Sequence, residues 1–216
     1  MPFHEVDWAD RKHDLGAFLT AWSQSVADGL NAAPAADSRA VAVSRTRLAT
    51  ATAAAVGRSP SPPDAIVAAR YADHYGVDLV NANGGPLGAV LFVSGDHKAD
   101  SDGGLVFALR VATRAAAGVG VVVVDVAPGP ATWAMHLNTL IPVYPTARRP
   151  RGPGASVLVI NPRTRDGAEQ YDVWYHTVVV GDTFPTVPLP ARGADVYQAI
   201  NLETTYSTAC ASNQIT

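Results

Sequence analysis

The stretch Gly88–Val126, GAVLFVSGDHKADSDGGLVFALRVATRAAAGVGVVVVDV, decides the fold. Gly88 to Ser94 is a β-type run, and Val121 to Val124 is an unbroken apolar one, the pattern of a strand covered on both faces. Between them Leu105, Leu109, Ala112 and Ala116 recur at helical spacing, which places Arg110 and Arg114 on an exposed face and Gly118 as a left-handed terminator. Strand, helix and strand make a βαβ unit with parallel strands. A mixed sheet with helices on its faces follows.

Working outward, Val77 to Asn81 pairs antiparallel with Gly88 to Ser94 across the Gly-rich turn Ala82 to Leu87. Asp14 caps a helix whose apolar stripe is Leu15, Phe18, Leu19, Trp22, Val26 and Leu30, and which stops near Asn31 ahead of Pro34. Arg39 to Arg45 and Asp64 to Ala68 read as strands, separated by the Pro-rich connection Ser59 to Pro63. Thr132 to Leu140 is a short helix, followed by the basic loop Arg148 to Gly154. Ser156 to Asn161 and Tyr171 to Val180 form a second hairpin across a loop from Pro162 to Glu169. The Pro-rich tail after Val180 cannot be a central strand. A short strand near Tyr197 and a helix over Leu202 to Ala211 complete the chain.

Two hundred and sixteen residues suit one domain, 1–216, with a C-terminal hairpin and helix as an extension. Hydrophobic residues make up 48% of the chain and charged residues 16%, which argues against disorder. A formal net charge of −3 supplies no global attraction to nucleic acid or to an anionic membrane. Cys210 is the only cysteine, so no intrachain disulfide can form. No stretch reaches the roughly 18 apolar residues of a membrane span, and the opening MPFHEVDWADRKHD has no signal-peptide core. A cytoplasmic protein with no membrane partner is expected.

Three segments carry a family likeness. They are the opening MPFHEVDWADRKHDLGAFLTAWSQSVADGLNAA, the strand end VLFVSGDHK, and the closing YDVWYHTVVVGDTFPTVPLPARGADVYQAINLETTY. Together they resemble a family of uncharacterised bacterial proteins, known as a domain of unknown function, with the restriction-endonuclease-like PD-(D/E)XK fold. The resemblance implies an α/β fold in which an Asp on one strand and a Glu or Asp on the next hold Mg²⁺ or Mn²⁺, with a Lys beside the attacking water. Pro63-Asp64 resembles the first element. Leu91 falls where the second acid belongs, and the strand Gly88 to Val93 contains no carboxylate. Asp96-His97-Lys98 has the D-x-K spacing past the strand end, and Asp78 is a further possible ligand.

Three functions follow as expectations. The first is a catalytically degenerate relative acting as a binding or assembly module, with no cofactor. The second is a Mg²⁺- or Mn²⁺-dependent phosphodiesterase acting on nucleic acid, in which Asp64 with Asp96 or Asp78 holds the cation and Lys98 assists the water. The third is a homo-oligomeric structural protein. Against the site roles stand simpler ones. Asp64 suits a turn, Asp102 suits a helix N-terminus, and Asp125 suits a hydrogen-bonded loop at a strand end. The six His residues show no metal-binding spacing.

Overall fold

The computed structural model describes residues 14–34, 38–44, 74–99, 101–143, 154–192 and 197–215. The expected strand Asp64 to Ala68, the loop Arg148 to Gly154 up to Pro153, and Asp64 itself lie outside the described residues.

A six-stranded mixed sheet forms the centre, with strands in sequence order from edge to edge. These are β1 (Ser38–Ser44), β2 (Tyr75–Asn81), β3 (Pro86–Phe92), β4 (Gly120–Asp125), β5 (Gly154–Arg165) and β6 (Ala168–Val179). β3 and β4 pair in parallel, with Gly88 level with Gly120 and Phe92 with Val124, as the βαβ reading requires. The other neighbours are antiparallel.

β4 is buried at all six positions, so both faces of the sheet need a cover. On one face lie α1 (Leu15–Ala32), α5 (Leu202–Ser212) and a two-stranded sheet of β7 (Thr186–Pro190) and β8 (Tyr197–Asn201). On the other lie α3 (Ser101–Ala116) and α4 (Thr132–Leu140), and the single-turn α2 (Asp96–Ala99) leads into α3. The period of two sorts the strands between them. Val77, Leu79, Val90, Phe92, Val122 and Val124 face α1, while Ala89, Leu91, Val121 and Val123 face α3 and α4.

Local chemistry sets the element ends. The Asp14 carboxylate accepts from the Gly16 and Ala17 amides at the start of α1. Gly118 takes φ 75°, where a side chain would strain the backbone, and closes α3. Gly120 is required for a different reason, because a Cβ there would run into the Pro190 carbonyl where β7 crosses the sheet.

Two expectations are corrected. The second hairpin is longer than expected, since the loop from Pro162 to Glu169 is reduced to a turn at Asp166 and Gly167. Pro162 is tolerated in β5 because β4 pairs with β5 no further than Ile160, which leaves one side of the strand without a ladder to interrupt. The larger correction concerns α3. It buries Gly104, Phe107, Ala108, Val111 and Ala115, leaves Leu105, Val106 and Leu109 exposed, and turns Arg110 and Arg114 toward β2.

The α1 face is held by an aromatic cluster. Trp22, 0% exposed, packs against Phe18, Phe92, Phe184 and Tyr206 with ring centroids 5.0–5.5 Å away. Its indole N–H donates to Thr205 Oγ1 at 2.9 Å, so the one polar atom of the ring is satisfied. Trp22→Ala therefore empties the junction of α1, α5 and the sheet. The expected loss is about 3–5 kcal/mol in chemical denaturation, against about 1–3 kcal/mol for Thr205→Val, which leaves the buried Trp22 N–H without its acceptor.

Candidate functional site

The chemistry-bearing side chains gather at the carboxyl ends of β3 and β4, where an open α/β sheet presents its loops. β3 runs out through Val93 into Ser94 and Gly95, and α2 turns the chain back over the end of β4. The Ser94 amide donates to His97 Nδ1 at 3.0 Å, so Nδ1 is the acceptor and the neutral ring carries its proton on Nε2. The Ser94 hydroxyl lies 3.2 Å from the same nitrogen. His97 is fully buried against Phe107, with ring centroids 4.5 Å apart, and Ser94 is buried as well, so this Ser–His contact has no open approach for a substrate.

Lys98 lies beside them. Its ammonium stands 2.8 Å from Asp125 Oδ1, with only 8% of the Lys98 side chain and 5% of the Asp125 side chain exposed. It also donates to the carbonyls of Ala127 and, at 3.3 Å, Gly129. One counter-charge and two carbonyl acceptors thus surround the ammonium. The second carboxylate oxygen of Asp125 accepts from the Trp133 indole N–H at 2.9 Å. Burying one charge alone would be prohibitive, and the arrangement supplies each with its counter-charge and hydrogen bonds.

Of the residues that the sequence suggested as one site, Asp78, Asp96 and Lys98 are described and Asp64 is not. Asp96 is exposed on α2, and Asp78 projects from the middle of β2 toward α3, 3.2 Å from Arg114 Nη2. Asp78 is level with Ala89 on β3, which is level with Val121 on β4. Asp125 lies four residues further along, or about 13 Å at the rise of a strand. On β3 the positions that share Asp78's face are Ala89 and Leu91. Among the described residues no group of three or more His, Cys, Asp or Glu side chains is placed to hold a metal ion.

A second polar group lies at the β2 side of α3. Arg110 shares a hydrogen bond with Nδ1 of the buried His74, next to the Arg114–Asp78 pair. Burial, then the charges of Arg110 and Arg114, press the His74 pKa down to about 3. A separate cavity of about 490 Å³ opens at the opposite end of β4, lined by Asn161, Arg163, Glu169, Tyr171 and Arg192 among others. Asp78, Asp96 and Lys98 take no part in its lining.

Sequence reasoning missed the partner of Lys98. Asp125 was legible as a hydrogen-bonded carboxylate at a strand end, but its contact with a lysine 27 residues earlier depends on how α2 turns. The available signal was the valine run itself, because an acid ending a doubly buried strand needs a cation or several donors. No helix of the described residues is long and apolar enough to cross a membrane. No protein-family model, curated protein or solved structure matches this chain.

Two outcomes follow. Lys98→Met strands the Asp125 charge and should cost about 3–5 kcal/mol, whereas Lys98→Met combined with Asp125→Leu should recover most of that loss, leaving about 1–2 kcal/mol for the Trp133 N–H without an acceptor. Urea titrations of the three proteins measure the coupling. His74 is neutral in the folded protein down to about pH 3 but takes up a proton near its ordinary value of 6.5 when unfolded. The unfolded state therefore binds more protons between these values, and stability falls as pH drops, by up to about 1.4 kcal/mol per pH unit. His74→Gln should flatten the urea midpoint between pH 6 and pH 4 relative to the parent.

Proposed function

We propose that this protein is a non-catalytic binding or assembly module on a restriction-endonuclease-like scaffold, in which an internal ion pair takes the place of a metal centre. The observation that carries the reading is the enclosure of Lys98, whose ammonium is ion-paired with Asp125 and donates to the Ala127 and Gly129 carbonyls. A lysine that polarises a phosphodiester or orients water must keep a proton or a charge directed at the reacting atoms. The apolar Leu91 supports the same reading, because the PD-(D/E)XK scheme needs its second acid there, and Leu91 and its neighbour Ala89 lie instead in the apolar cluster under α3. Arg114 already neutralises Asp78.

Incubation of the full chain with single- and double-stranded DNA and RNA in Mg²⁺ or Mn²⁺ tests this. The expected result is no divalent-dependent cleavage. Cleavage that requires the metal and disappears in both Asp64→Asn and Asp78→Asn would overturn the proposal in favour of a relocated phosphodiesterase centre.

A further inference from the structure

The cavity at the far end of β4 exists because neighbouring strands start and stop at different levels. β4 begins at Gly120 and pairs with β5 no further than Ile160, so residues 161–165 run on with no strand on that side. The gap is walled by Ala115, Ala116, Ala117 and Gly118 at the end of α3, four residues with no side chain beyond Cβ. Its volume, about 490 Å³, falls within the roughly 300–1,000 Å³ of small-molecule sites.

The rest of the lining is largely polar and carries charges of both signs. Arg163 is engaged within the protein, donating to the Tyr197 hydroxyl at 2.8 Å and lying 3.7 Å from Asp172. Arg192 is placed but not engaged. Its amide donates to the Leu87 carbonyl at 2.7 Å, and its side chain runs past Gly118, where an added Cβ would stand 3.7 Å from Nε. Among the described residues its guanidinium meets no carboxylate and no other acceptor. Glu169, level with Thr164 on the hairpin, likewise meets no cation among them. Asn161, 4% exposed, donates through Nδ2 to the Tyr197 hydroxyl at 3.1 Å, while its side-chain oxygen accepts no hydrogen bond from the described residues.

We propose that this cavity binds a small zwitterion with a free ammonium and a free carboxylate, the chemistry shared by amino acids and short peptides. Arg192 receives the carboxylate through its paired N–H groups, Glu169 receives the ammonium, and the Asn161 oxygen accepts an N–H of the ligand. The inference deepens the binding reading, on which it rests, by giving it a site and a ligand class. The two charges select that class. Arg192 and Glu169 line one cavity without pairing with each other, which leaves room between them for a group of each sign. A phosphate or a lone carboxylate would meet Glu169 and the negative end of the α3 dipole, and a lone amine would meet Arg192.

Calorimetric titration and amide correlation spectra of the full chain with L-alanyl-L-alanine, L-alanine and L-leucine test this. At least one probe should bind saturably with a Kd of about 1 mM or tighter. Acetylating its amine or amidating its carboxylate should each weaken binding at least about tenfold, and inorganic phosphate should not compete. Arg192→Gln and Glu169→Gln should weaken binding to a similar extent with unchanged circular dichroism, since both side chains are exposed. The two series also cross. Amidation should cost nothing further in Arg192→Gln, and acetylation nothing further in Glu169→Gln, a pattern that a general loss of structure would not produce. Tighter binding of the dipeptide assigns a peptide as the source, tighter binding of a free amino acid assigns the amino acid, and either supports the site. Absence of saturable binding by all three probes up to about 20 mM overturns the proposal, as does equal binding of the blocked forms or competition by phosphate. Failure here leaves the non-catalytic reading standing, and that reading falls separately in the cleavage assay.

Discussion

The doubly buried strand β4 is the constraint on which the rest of the structure depends. Its six residues are withdrawn from water on both faces, so the sheet requires α1, α5 and β7–β8 on one side and α3 with α4 on the other. Its neighbour β3 runs parallel, and a parallel neighbour needs a crossover, which α2 and α3 provide. The strand ends in Asp125 before the chain reaches water, and that carboxylate dictates the polar architecture around it. The ammonium of Lys98 and the indole of Trp133 are both drawn to it. The carboxyl ends of the parallel strands, where α/β proteins commonly expose their chemistry, are here occupied by internal charge pairing.

The elements that were legible in the sequence are those whose local signals agree with their burial. α1 combined a side-chain cap with a single apolar stripe, and α4 and the valine strand were bounded by Pro and Gly, so local and global preferences coincided. The hairpin of β5 and β6 was legible in position but not in length. Pro162 signals a break in a central strand, and only the early end of β4 turns that part of β5 into an edge where the missing N–H is harmless. The candidate site was least legible. Lys98 and Asp78 were singled out in the sequence as a catalytic lysine and a metal ligand, yet their partners Asp125 and Arg114 are 27 and 36 residues away, and sequence spacing carries no record of which end of a strand a helix turn will reach.

α3 shows why periodicity alone misassigns a face. Leu105, Leu109, Ala112 and Ala116 form a stripe as regular as Gly104, Ala108, Val111 and Ala115, about a quarter-turn away. The buried stripe is set by size and by charge disposal. Gly104 lets the helix approach α2 and the start of α4, where a Cβ would meet Thr132 Oγ1 at 2.8 Å and the His97 carbonyl oxygen at 3.3 Å. Ala108 and Ala115 are small within the same buried layer, and Phe107 fills the space against Trp133 and His97. The choice also places Arg110 and Arg114 beside β2, where their long stems lie along protein and their guanidinium groups meet His74 and Asp78. Had the Leu105 stripe been turned inward, Asp78 would face α3 without a cation.

The same accounting separates a charge pair from a metal centre. A divalent ion shared between two carboxylates needs both to converge on it without being neutralised by side-chain cations. Among the described residues Asp78 is matched with Arg114 and Asp125 with Lys98, and the two pairs are separated by one strand laterally and by four residues along the sheet. Leu91 lies between them on β3 and contributes apolar surface to Phe107 and its neighbours. An acid at that position would enter a fully buried apolar layer, which a carboxylate tolerates only with a counter-charge and hydrogen bonds of its own. The leucine instead lets Ala89, Val121, Val123 and Phe107 pack without a polar group between them.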